Sequence, residues 1–140
     1  MTGGDPPPDV RLALPAVRAS LPLIRHVVAT LVEAQPLGPR RQEEVLLALS
    51  AAAADAIRHA LRDGPPPPQI VIEARVRGGR LVISIIEDGP GVAPLIGTGD
   101  VPGSLALIGA VADRLELGRT TAGGASTRMS FFLSGPRAAD

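Results

Sequence analysis

The chain contains no cysteine, lysine, asparagine, tryptophan or tyrosine in its 140 residues. Several function classes close with these absences. Without cysteine there are no disulfides, no thiol catalysis and no zinc centres built on thiolates. All fourteen basic residues are arginine, so a Walker A loop, whose lysine must reach the phosphates, is excluded. Two histidines offer too few nitrogen ligands for a transition-metal centre. The only aromatics are Phe131 and Phe132, side by side near the end, which leaves no platform for stacking bases. Acidic and basic residues balance at 14 each, giving no electrostatic case for nucleic acid or an anionic membrane. No apolar run approaches the roughly 20 residues of a membrane-spanning helix; Leu81–Ile86 is only a strand's length.

What is present reads as one domain, 45% hydrophobic and long enough for a two-layer core. The opening MTGGDPPPD has neither the basic nor the apolar segment of a secretion signal. It is expected to be a flexible tail over residues 1–9, with a domain over 10–134, a second tail over 135–140, and a cytoplasmic location.

The organising stretch is Arg41–Arg62, RQEEVLLALSAAAADAIRHALR, a helix by composition: no Gly or Pro interrupts it, and Leu, Ala, Glu and Arg dominate. At 100° per residue, Leu46, Leu49, Ala53, Ile57, Ala60 and Leu61 share one face, expected on the core. The opposite stripe carries Glu44, Ala48, Ala51, Asp55, His59 and Arg62. Asp55 and His59 stand one turn apart among small alanines, either as an ordinary solvated pair or as part of a site.

The remaining elements follow from periodicity. Arg11–Leu14 suggests an edge strand stopped by Pro15. Helical spacing runs from Ala16 to Glu33, and the Pro- and Gly-bearing stretch Gln35–Pro39 ends it. His26 in that helix is expected at the surface. Four prolines, Pro65–Pro68, form a stiff connector. Gln69–Arg77 alternates as a half-buried strand, Gly78-Gly79 suits a two-residue hairpin turn, and Arg80–Glu87 returns as a more apolar, central strand. A glycine-rich loop over Val92–Gly103, a helix over Ser104–Ala112, and a closing hairpin of Leu115–Thr120 with Ser126–Ser134 complete the layout.

Residues 47–60, LALSAAAADAIRHA, resemble the N-box of the GHKL (Bergerat-fold) ATPases, most closely the anti-sigma-factor serine kinases, which write it L-A-x-S-E-A-x-x-N-A-x-x-H-A. The family's catalytic Glu falls on Ala51, its magnesium-binding Asn on Asp55 and its His on His59. Asp88, Gly89 and Gly91 are assigned to the G1 box, whose carboxylate accepts the adenine amine while side-chain-free glycines let backbone close on the ring. As a bare sequence, DGPG is also a common turn. Gly103, Ser104 and Leu105 match part of the G-x-G-L-x-L segment that ends the phosphate lid, with Ser104 where a Gly is expected. Ser104 also suits a helix N-cap. Ala112–Leu117 resembles the family's A-D-R-x-E-x transition. Gly123–Thr127 resembles its last glycine box, with Thr127 near the nucleotide, although a Gly-Gly hairpin turn accounts for the same residues.

The resemblance spans nearly residues 10–134 and implies an α+β fold: a two-layer α/β sandwich of the Bergerat type, with helices on one face of a mixed, mostly antiparallel sheet. It implies nucleotide contacts from Asp55, His59, Asp88, Gly89, Gly91, Gly103, Ser104, Leu105 and Thr127, with ATP or ADP bound and Mg²⁺ on Asp55. The implied partners are a sigma factor or an anti-sigma-factor antagonist, with no nucleic acid and no membrane; the family often pairs as homodimers. Because the general base is replaced by Ala51, the expectation is a regulator acting by protein contact with weak or absent kinase activity. The alternatives are an active serine/threonine kinase that phosphorylates the antagonist and a nucleotide-free scaffold.

Overall fold

A central β-hairpin sets the frame. In the computed structural model, which describes residues 7–61, 66–87, 103–120 and 124–133, strands β2 (Gln69–Arg77) and β3 (Arg80–Glu87) pair antiparallel from Ile70↔Glu87 to Arg77↔Arg80. Gly78 and Gly79 turn between them at φ +57° and +75°. Those left-handed values are the ones a type I′ turn demands and glycine tolerates.

β1 (Val10–Pro15) adds to the outer edge of β2, and the β4 (Arg114–Arg119) and β5 (Ala125–Phe132) hairpin adds to β3 through β5. The order is β1-β2-β3-β5-β4, which puts β3 in the middle as its apolar composition suggested. All four pairings are antiparallel, so the described strands form an open antiparallel sheet. β1 ends at Pro15, which lacks an amide to continue a ladder; the next amide, of Ala16, donates to the carbonyl of Pro68 at 2.8 Å. Pro7 and Asp9, expected in the tail, are tied down: the Asp9 carboxylate accepts from the Val76 amide at 2.7 Å, and the Pro7 carbonyl accepts from Arg77.

Three helices cover one face of this sheet. α1 (Leu21–Glu33), entered through a 3₁₀ turn at Arg18–Ser20, buries Ile24, Val28 and Val32. α2 (Pro39–Leu61) opens with Pro39, whose fixed φ suits the first helical position. α3 (Gly103–Val111) is shorter. Leu81, Ile83 and Ile85 of β3, with Met129 and Phe131 of β5, make the floor of the core; Leu49 and Ile57 of α2 and Ile108 of α3 are buried against it. The opposite sheet face carries charge: Glu73 pairs with Arg75 at 3.1 Å and with Arg11 at 3.4 Å.

The expected two faces of the central helix need correction. Ala48 and Asp55, assigned to the outer stripe, are buried, while Leu46 and Ala60, assigned to the core, are only half-buried. α2 is the middle helix of the layer, touching α1, α3 and β3. More of its circumference is therefore covered than a single amphipathic stripe allows for, and alanines at 48, 52, 53 and 56 let its neighbours approach.

Candidate functional site

Asp55 is 4% exposed, a charged group in a helix layer of apolar neighbours. Its Oδ1 accepts from Arg58 Nη2, one turn further along α2. Its Oδ2 is buried with no hydrogen-bond partner. Leaving such an oxygen unpaired costs about 1–3 kcal/mol, so this carboxylate is held half-satisfied by the fold around it.

β3 brings a second carboxyl to the same place. Alternation along the strand puts Leu81, Ile83, Ile85 and Glu87 on the helix-covered face. Burial pushes the Glu87 carboxyl up to about 7, because desolvation disfavours its charged form. The backbone of Glu87 is itself boxed in: a Cβ on Gly124 would run into its carbonyl oxygen. Gly124 is held there by Thr120, whose amide donates to the Gly124 carbonyl and whose hydroxyl accepts from the Gly124 amide, both at 2.9 Å. Only glycine fits at this position.

The two carboxyl residues meet at a cavity of about 10 Å³ lined by Ala52, Asp55, Ala56, Glu87, Leu105, Ile108 and Thr127, close to the room one water needs. Thr127 of β5 reaches it because it pairs with Ile85 of β3 and therefore shares the helix-facing side. Leu105 and Ile108, one turn apart on α3, close the apolar wall.

Of the residues singled out from sequence, Asp55, Leu105 and Thr127 converge on this cavity. His59 is half-buried one turn beyond Asp55 and is not among the lining residues. Ser104 lies inside α3, one residue past its first position at Gly103, so it is not the N-cap; its Oγ is buried without a partner. Asp88, Gly89, Gly91 and most of the expected lid lie outside the described residues. Glu87, not singled out from the sequence, lines the same cavity. The signal was available: the family's box is D-x-G-x-G, and counting back from Gly91 and Gly89 places its carboxylate on Glu87, with Asp88 at the intervening position.

This polar set fits the base end of a nucleotide. A carboxyl at a strand end and a neighbouring threonine hydroxyl can accept an exocyclic amine beside an apolar wall, and the unpaired oxygen of Asp55 leaves a hydrogen-bonding position open. At about 10 Å³ the enclosed space itself is the size of a water, not of a ring. A divalent cation does not fit as readily. Arg58 already neutralises the one carboxylate at the expected metal position.

The chain matches the histidine kinase-like ATPase domain family over residues 14–131. No curated protein matches it in sequence. Among solved structures, it superposes on the crystal structure of the RsbU and RsbW domains of Rv1364c from Mycobacterium tuberculosis with a TM-score of 0.68 and 19% identity, covering 95% of this chain. It spans 34% of that protein's length. It also matches the NMR structure of the histidine kinase domain of the E. coli osmosensor EnvZ, at 19% identity and a TM-score of 0.47, over 97% of this chain and 95% of the other. With the family matched along most of its length and the sandwich fold in place, the chain belongs to the histidine kinase-like ATPase domains.

Proposed function

We propose that the chain is a nucleotide-binding regulator of the anti-sigma-factor serine kinase type, which acts by contact with a sigma factor or an antagonist protein and transfers phosphate weakly or not at all. The observation that carries the reading is Ala51. It stands on α2 one turn before Asp55, at the position where the resembled kinases hold the carboxylate that activates the acceptor hydroxyl. Neighbours on the helix do not replace it. Glu44 lies ~10 Å back and His59 ~12 Å forward along the axis, and the loss of a general base removes about 10²–10⁴ in rate.

Nucleotide binding rests on the cavity shared by Asp55, Glu87, Leu105 and Thr127. In this reading Glu87 accepts the exocyclic amine of adenine, Thr127 supports it, and Leu105 and Ile108 pack on the ring. Calorimetric titration of ADP into the wild type, Glu87→Ala and Asp88→Ala tests it. Micromolar binding lost in Glu87→Ala and kept in Asp88→Ala is expected. Loss only in Asp88→Ala returns the base-recognising role to that residue, and no binding to the wild type at millimolar ADP overturns the nucleotide reading. Phosphotransfer to an antagonist protein at kinase rates of about 1–100 s⁻¹ would overturn the inactive one.

A further inference from the structure

Asp55 is a carboxylate that cannot easily stand alone. Its side chain is 6% exposed, yet the side chain of the arginine that holds it is 64% exposed. The pair is thus a buried anion held by an exposed cationic side chain, and Asp55, though not Arg58, lines the cavity. One guanidinium nitrogen is used on Oδ1. Among the described residues Arg58 makes no other hydrogen bond or ion pair, so its remaining donors are available to a ligand. The other acidic group at the cavity, Glu87, is held toward its neutral form by burial, and Ala51 adds no charge. The cavity side of α2 therefore carries an anion and its own counter-cation, close to neutral in sum. A divalent ion placed on Asp55 would stand against a fixed guanidinium of like sign.

We infer that Arg58 is the built-in counter-ion of this site, neutralising Asp55 where a divalent metal would otherwise do so, and that a nucleoside diphosphate or triphosphate binds here without metal. The inference rests on the nucleotide reading for its ligand but not for the ion pair itself. An arginine cannot be deprotonated at ordinary pH, so this neutralisation is permanent. A guanidinium also donates charge-assisted hydrogen bonds to phosphate oxygens. Removing Arg58 would expose an uncompensated buried carboxylate, which is the condition under which a hard divalent cation becomes a favourable partner.

The test titrates ADP into the wild type, Arg58→Gln and Arg58→Lys, in buffer with excess Mg²⁺ and in buffer with chelator. Arg58→Gln strands the buried Asp55 carboxylate, so the fold of each variant is first verified by circular dichroism and its unfolding midpoint, and Arg58→Lys keeps the charge as the folded control. The wild type and Arg58→Lys are expected to bind with affinities that agree within about threefold between the two buffers, whereas Arg58→Gln weakens by about tenfold or more in chelator and recovers with Mg²⁺. A wild type that loses binding in chelator as fully as Arg58→Gln does would overturn the inference. A second arm omits nucleotide: Mg²⁺ alone should raise the unfolding midpoint of Arg58→Gln and leave the wild type unmoved, and equal responses would also overturn it. Should no variant bind ADP in either buffer, the nucleotide reading fails, and the metal-only arm still decides whether Arg58 stands in for a metal.

Discussion

Arg41 Nη2 lies 2.9 Å from Asp113 Oδ2, joining the start of α2 to the residues just past α3. The same guanidinium donates to the Val111 carbonyl at 2.8 Å and to Glu44 at 2.9 Å, and it sits 5.4 Å from the centre of the Phe131 ring. Asp113 Oδ2 also accepts from the Phe132 amide at 2.7 Å. One ion pair thus ties two helices to the end of β5. α2 and α3 also form two walls of the cavity, which begins at Ala52 about 16 Å along α2 from Arg41, so the pair bears on their spacing from the far end of the helix.

Removing one partner should be costly. The Asp113 side chain is 4% exposed, and breaking a buried pair from one side destabilises by about 3–5 kcal/mol. Arg41→Ala is therefore expected to lower stability by that order in urea denaturation. Nucleotide affinity should fall as well, since the α2–α3 spacing is no longer held. A loss below about 1 kcal/mol, typical of an exposed pair, would mean that the clamp does not set this spacing.

Glu87 predicts an unusual pH dependence. Its carboxyl titrates near 7 in the folded chain against an ordinary value of 4.5. Between those limits the folded state binds more protons than the unfolded state, so this residue's contribution to stability falls as pH rises through that window. Glu87→Gln removes the titration while keeping the shape. The variant should match the wild type at pH 4.5 and exceed it by about 1–2 kcal/mol at pH 8, after discounting for the partial exposure of the group. Asp9 acts in the opposite sense: the Val76 amide, with Arg77 and Arg75, holds its carboxyl below the usual range. Its contribution is lost on acidification and cancels when the two proteins are compared at the same pH. Parallel stability profiles for wild type and variant would refute the assignment.

Much of the fold was legible because its elements obey clean periods. β2 and β3 fall on their expected limits, and the turn between them is where two consecutive glycines had to be. What was not legible came from packing in three dimensions. A helix covered on three sides does not divide into a core stripe and a solvent stripe, and so Ala48 and Asp55 were placed on the wrong side. The site was legible in part. Asp55, Leu105 and Thr127 lie far apart in the chain, and motif order alone brought them together. Glu87 was not singled out, although strand alternation gives it the parity of Leu81, Ile83 and Ile85 and so turns it toward the helices. The pairing of Asp55 with Arg58 needed side-chain geometry, because i,i+3 charges on a helix pair only when burial and rotamer allow it.

The last prediction restores what Ala51 lacks. Ala51 and Asp55 are four residues apart on α2, so their side chains lie on the same face, one above the other. A glutamate at 51 would put a carboxylate one turn before Asp55, at the general-base position of the resembled kinases. A second carboxylate one turn from the buried Asp55 costs more than the ~0.2–0.5 kcal/mol of a solvated pair, but Ala51 is half-buried rather than sealed in the core, so Ala51→Glu should fold with reduced stability. If the chain binds nucleotide and engages an antagonist bearing an acceptor serine, this single change should raise phosphotransfer by about 10²–10⁴, read from labelled ATP. An unchanged rate in a variant that still binds nucleotide and partner would mean that silencing does not reside in the missing carboxylate. The fault would then lie in how the acceptor serine is placed against the nucleotide, a matter of orientation that a restored base cannot repair.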